Sequence, residues 1–142
     1  MDIDPDNPVV KLCAECIQAE MEGRTGEAMK LCVRAWEIRK DSFEECIAAH
    51  YLARYQETAS DAMLWNRRAL EAAEAAGDAR VFSFYPSLYL NLGKSCEDMG
   101  DIQEAGRYYH LASSTLDRVG SGDYRETLRS GVEAALGRIG GL

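Results

Sequence analysis

The sequence predicts an all-α protein, built from antiparallel helix-turn-helix repeats stacked side by side and closed by a C-terminal capping helix, about seven helices in all. Three observations carry this reading. Ala, Leu, Glu and Arg, which propagate helices readily, are plentiful, and proline occurs only at Pro5, Pro8 and Pro86. β-branched residues never gather into the alternating runs that a half-buried strand needs. A pair of alanines seven residues apart recurs three times, as Ala28 and Ala35, Ala62 and Ala69, and Ala105 and Ala112.

Other small or apolar positions fall into line once those alanines are aligned. Nine residues before each first alanine stand Ala19, Ala53 and Cys96; sixteen before it stand Leu12, Cys46 and Tyr89. Gly23 and Gly100 each lie five residues before the alanine, where a helix that ends in a left-handed residue wants glycine, while the second unit has Glu57 there. Each unit is therefore a helix, a tight turn and a second helix.

The start signals agree with this register. Asn7 before Pro8 is a cap with proline at the first helical position, and Thr25 is placed to cap the second helix. Ser42 with Glu45 forms a capping box, Ser60 with Asp61 caps the helix beginning at Ala62, and Asp101 with Glu104 forms another box. First alanines are 34 residues apart between units one and two, but 43 between units two and three. About nine residues are thus inserted between Ala75 and Pro86, most simply by lengthening the helices around a turn at Gly77 and Asp78, with Pro86 kinking the next helix. Gly120 and Gly122 then punctuate the chain, and Asp123 with Glu126 opens an amphipathic segment carrying Leu128, Val132, Leu136 and Ile139. The expected organisation is one domain over 1–142, with repeats at 9–42, 43–78 and 79–119 and a capping helix at 123–139 that covers the last apolar face.

Composition narrows the partners. A net charge of −8 disfavours nucleic acid and anionic membranes, and neither a basic, apolar leader nor a run of about 20 apolar residues is visible, so a soluble, cytoplasmic protein is expected. Five cysteines in a chain large enough to hold a core without staples are expected to be reduced. Cys13 and Cys16 form a C-x-x-C, but no strand precedes it and no second pair follows, so it reads as buried packing and not as a metal or redox centre. His50 falls in a small-residue slot and His110 between Tyr109 and Leu111; neither is assigned a role. No phosphate loop, metalloprotease motif or nucleophile elbow is present, and no catalytic residue, metal or cofactor is expected. The aromatic run Phe82, Phe84, Tyr85 and Tyr89 reads as filling for the inserted space. Arg67 and Arg68 with Glu71 and Glu74 read as a solvated helix face.

The third unit resembles the tetratricopeptide repeat family. Tyr89, Leu92 and Gly93 match its first helix, Gly100 and Asp101 its turn, and Ala105, Tyr109 and Ala112 its second helix, with Cys96 where an aromatic is usual. The first unit has Cys16 in place of the glycine and Cys32 in place of the second aromatic; the second has His50 for the glycine and Asn66 after Trp65. The likeness covers roughly residues 8 to 119. It implies a short right-handed α-solenoid in which the first helices line a concave face including Cys13, Ile17, Glu20, Glu44, Ile47, Tyr51, Arg54, Leu90, Lys94 and Glu97. Members that grip a C-terminal carboxylate use Lys and Asn where this chain has Cys13 and Ile17, so that clamp is absent. The resemblance implies a protein-interaction scaffold that takes a peptide or partner helix, with Ile17, Ile47, Tyr51, Arg54, Leu90 and Lys94 as candidate partner-binding residues. The alternative is a homodimer that uses the same face for self-association.

Overall fold

A computed structural model describes residues 3–140 as an all-helical protein with no strand among them. Met1 and Asp2, part of the N-terminal reading, lie outside the described residues, as do Gly141 and Leu142. The described residues form eight α-helices: α1 (Pro8–Met21), α2 (Thr25–Ile38), α3 (Ser42–Leu52), α4 (Ala59–Ala76), α5 (Ala79–Phe82), α6 (Tyr85–Asp98), α7 (Ile102–Ser114) and α8 (Asp123–Arg138). Short 3-10 turns follow α3 (Ala53–Tyr55) and α7 (Leu116–Arg118). Each sequential pair α1/α2, α3/α4 and α6/α7 folds back on itself. The pairs meet through α1 with α3, α2 with α3, and α4 with α6, and α8 lies on α6 and α7.

The turns show why the repeat alignment works in the first and third units and bends in the second. Gly23 and Gly100 adopt φ of 79° and 83°, and the next residues bond back in the same way, Arg24 N to Ala19 O and Asp101 N to Cys96 O. With Glu57 at that position in the second unit, a left-handed turn would be costly. The chain instead unwinds through the 3-10 turn at Ala53–Tyr55, and no residue other than glycine takes a positive φ among the described residues.

Two expected caps hold: Asn7 Oδ1 accepts from Val9 N and Val10 N ahead of Pro8, and Asp101 accepts from Glu104 N. Three shift. Asp41, not Ser42, caps α3 by accepting from Glu44 N, and Glu44 accepts from Lys40 N in return. Thr58 caps α4 two residues earlier than Ser60 would, because its hydroxyl reaches Asp61 N. Thr25 lies inside α2, whose start has no side-chain cap.

The insertion also differs from the expectation. α4 does run on to Ala76 and stops at Gly77 with φ 59°, but Asp78 then caps a separate one-turn helix, α5, which makes eight helices where about seven are expected. Pro86 does not kink α6: it lies in the first turn, where a missing N–H leaves no bond broken. The aromatic run fills space only in part: Phe84, Tyr85 and Tyr89 are half-buried, whereas Phe82 is exposed. Phe84 stacks on Phe43, Tyr89 on Tyr108, and the Arg118 guanidinium lies over Phe82 and Tyr85.

Five of the six anchor alanines are buried, and Ala62 is half-buried. The helices of the third pair approach closely, and a Cβ on Gly93 would lie 2.5 Å from the Tyr109 ring. That approach is open only to glycine. The same slot in the first pair holds Cys16 and Cys32, which are joined as a disulfide with Cα atoms 6.1 Å apart. This corrects the expectation of five free thiols: Cys13 does not pair with Cys16 on its own helix, and Cys13, Cys46 and Cys96 alone are free and buried.

Candidate functional site

Helices α1, α3 and α6, the first helices of the three pairs, converge on a cavity of about 240 Å³. Val10, Cys13 and Ala14 reach it from α1, Cys46, Ile47, His50 and Tyr51 from α3, and Ser87 and Leu88 from α6, with Phe84 just before that helix. Ile3, ahead of α1, and Tyr124, in the first turn of α8, come in from the two ends of the chain. The position of α3 at its centre is secured at the helix starts. Asn7 Nδ2 donates to Glu44 Oε2 at 2.9 Å and so ties the cap of α1 to the first turn of α3.

The cavity is apolar except at its His50 end. Asn91 Nδ2 lies 3.4 Å from His50 Nδ1, and Ser87 Oγ lies 3.4 Å from Nε2. An amide NH₂ can only donate, so Nδ1 accepts and the imidazole proton sits on Nε2, facing Ser87. Loss of solvent, reinforced by the charge of Arg54, pushes the His50 pKa down to about 4, and the ring is neutral at pH 7. Burial likewise raises the Cys13 and Cys46 thiols to about 12, which leaves them protonated and poor nucleophiles.

Of the six candidate partner-binding residues, two meet here: Ile47 and Tyr51 line the cavity from α3. Ile17 is half-buried on α1. Arg54 pairs with Glu20 of α1, and Tyr55 donates to the same carboxylate at 2.8 Å, so this arginine is engaged within the chain. Lys94 is exposed and pairs with Asp98 along α6 at 2.6 Å. Leu90 packs on Leu116 and Val119 around the second 3-10 turn and on Leu128 of α8, and lies against Gly131 of the same helix. Two further members of the implied face are also occupied internally. Glu44 is buried by its capping bonds, and Glu97 accepts from Tyr109 at 2.6 Å and from Arg138 of α8 at 3.0 Å.

Sequence reasoning did not single out Ser87, Asn91 or Tyr124. A signal existed for the first two: Ser87 and Asn91 are four residues apart and share one face of α6. His110 is exposed on α7, away from the cavity. No cluster of three or more His, Cys, Asp or Glu able to hold a metal occurs among the described residues, and no helix among them is long and apolar enough to cross a membrane. No protein-family model matches the chain, and comparison with curated proteins and with solved structures finds no match.

Proposed function

We propose that the three helix pairs stack as a short right-handed α-solenoid of the tetratricopeptide kind and that the chain is a protein-interaction scaffold without catalytic chemistry of its own. Its partner is a peptide or helix received on the face formed by α1, α3 and α6. The observation that carries the reading is the convergence of those three first helices on one cavity, with Ile47 and Tyr51 at its centre. The shared glycine turns at Gly23 and Gly100 and the Gly93 approach to Tyr109 support the repeat. Binding energy in such interfaces concentrates in a few large side chains, and Tyr51 is the aromatic that α3 contributes, beside Phe84 and Tyr124.

Affinity purification from the native host, run in parallel with wild type and Tyr51→Ala, tests this. A protein retained by wild type and lost by a variant with an unchanged melting temperature supports the reading, with an affinity loss of about 2 kcal/mol or more. Equal retention moves the interface elsewhere. One observation favours self-association as the second reading: Leu64 and Met99 are both exposed and border the same surface depression between α4 and α6. Sedimentation of the protein alone separates the two. A cytoplasmic setting belongs to the proposal as well, and there the Cys16–Cys32 bridge would form against a reducing thiol pool.

A further inference from the structure

The cavity at the meeting of α1, α3 and α6 has a chemistry more specific than a docking face needs. Its volume of about 240 Å³ exceeds the roughly 150 Å³ that suffices to hold benzene in an apolar protein cavity. None of the charged side chains among the described residues lines it. Ile3 and Tyr124 add apolar and aromatic lining from the two ends of the described chain. His50 is the residue out of place. Both its ring nitrogens have partners only at 3.4 Å, beyond the usual range of a good hydrogen bond, and with Nε2–H directed at Ser87 Oγ the Ser87 hydroxyl keeps one lone pair, free to accept from a ligand N–H or O–H, and its hydrogen. A half-buried imidazole with two long bonds, beside a hydroxyl with a free lone pair and hydrogen, is a polar pair that a bound ligand would complete.

We propose that this cavity binds a small neutral molecule, an aromatic or branched aliphatic ring of about ten heavy atoms carrying one hydrogen-bonding group, with Ser87 and His50 as the polar anchor and Ile47, Tyr51 and Leu88 as the apolar walls. An anion is disfavoured: the imidazole is neutral, no cation lines the cavity among the described residues, and an unpaired charge is costly to desolvate. This inference does not depend on the chain having a protein partner.

Indole and indole-3-acetate share a ring and differ in charge. Titrating each into the full-length protein, with chemical shifts followed by NMR, reads both the location and the affinity. Indole should shift resonances of Tyr51, Leu88 and Ser87 in a saturable way, and indole-3-acetate should bind about tenfold more weakly or worse. Ala14 is exposed at the cavity edge, so Ala14→Phe should fill the mouth without disturbing the core and weaken indole by about tenfold or more at an unchanged melting temperature. Ser87→Ala, which removes the anchor and keeps the walls, should weaken it about three- to tenfold. The inference is overturned by absence of saturable shifts at millimolar indole, by equal binding of the two probes, or by undiminished binding to folded Ala14→Phe. Loss of a protein partner on Tyr51→Ala with indole binding absent would sink this inference alone and leave the scaffold reading standing.

Discussion

The first and third helix pairs use one slot in two chemically opposite ways. In the third, glycine on α6 faces tyrosine on α7: Gly93 has no side chain to hold Tyr109 off, so the ring lies fully buried against the α6 backbone. Its hydroxyl emerges to donate to Glu97, which Arg138 of α8 also grips, so the slot binds the terminal helix to the third pair. In the first pair the same slot holds Cys16 and Cys32, two side chains of equal size joined covalently. The helices close up in both cases. The repeat therefore fixes where two helices must approach closely and leaves open how the space is filled, by a small and a large residue or by a bond. The middle pair shows the slot given up: His50 turns to Ser87 and Asn91 of α6, and Asn66 donates to Ser95 of α6, so both residues look across to the next pair instead of to each other.

The largest expected effect breaks the third slot from its large side. Tyr109→Ala leaves a cavity between α6 and α7 and also removes a bond to Glu97. It should cost about 3 to 5 kcal/mol by chemical denaturation, enough to unfold a marginal domain. Gly93→Ala attacks the small side of the same slot and should cost about 1 to 3 kcal/mol through overpacking, because the ring it would strike is buried and cannot move aside. A neutral Gly93→Ala would show that α6 and α7 lie farther apart than a 2.5 Å approach of Cβ to the ring implies.

The first slot should respond to redox conditions and the third should not. Closing a loop of this length with a disulfide is worth about 3 kcal/mol in the chain-entropy account. Reductant should lower the melting temperature of wild type and leave a Cys16→Ala, Cys32→Ala double variant unaffected. Thiol counting on denatured protein should find three free cysteines without reductant and five with it. Five free thiols under both conditions would remove the covalent half of the comparison.

The helices and their sequential pairing were legible because the spacing is written in small residues, and a buried alanine at a helix crossing tolerates little else. Cys16 and Cys32 were legible in principle, since each sits where the third unit has Gly93 and Tyr109, yet the adjacent Cys13 and Cys16 drew the attention. Cys13 faces the cavity beside Cys46 and Ile47 of α3, whereas Cys16 meets Cys32 of α2. Capping positions slid by one or two residues where several short polar side chains compete, as at Asp41 and Ser42 or Thr58 and Ser60. Of the six candidate partner-binding residues only Ile47 and Tyr51, both on α3, line the cavity, with Cys13 of the implied face beside them on α1. Leu90 and Glu97 went to α8, whose packing no repeat rule foretells, and Arg54 went to Glu20.

A pH titration separates the third slot from the middle one. Arg138 and Tyr109 hold the Glu97 carboxyl at about 2, below its ordinary 4.5, so the ionised form is favoured in the folded chain. That stability is fully present above about pH 4.5 and is lost as the pH falls toward 2. His50 titrates near 4 when folded against 6.5 unfolded, so its contribution is full above pH 6.5 and declines from 6.5 to 4. Glu97→Gln should flatten the dependence of melting temperature on pH below 4.5 and keep the decline between 6.5 and 4, whereas His50→Asn should do the reverse. A variant that flattens both would show the two groups to be coupled.

The smallest expected effect tests whether the middle pair is as loosely closed as its slot suggests. Ala28 and Ala105 are fully buried, as a close helix crossing requires, but Ala62 at the same repeat position is half-buried. Met63, Leu64 and Asn66 around it carry the packing toward α6 and solvent instead. A leucine at 105 has nowhere to go and should cost about 1 to 3 kcal/mol. One at 62 can lay its branch along the surface of α4, in a residue type that suits helices, so Ala62→Leu should change stability by no more than about 0.5 kcal/mol. Equilibrium denaturation of the two variants gives the difference directly. Equal costs at 62 and 105 would mean that the middle pair closes as tightly as the third, and that His50 and Asn66 reach across to α6 without loosening their own hairpin.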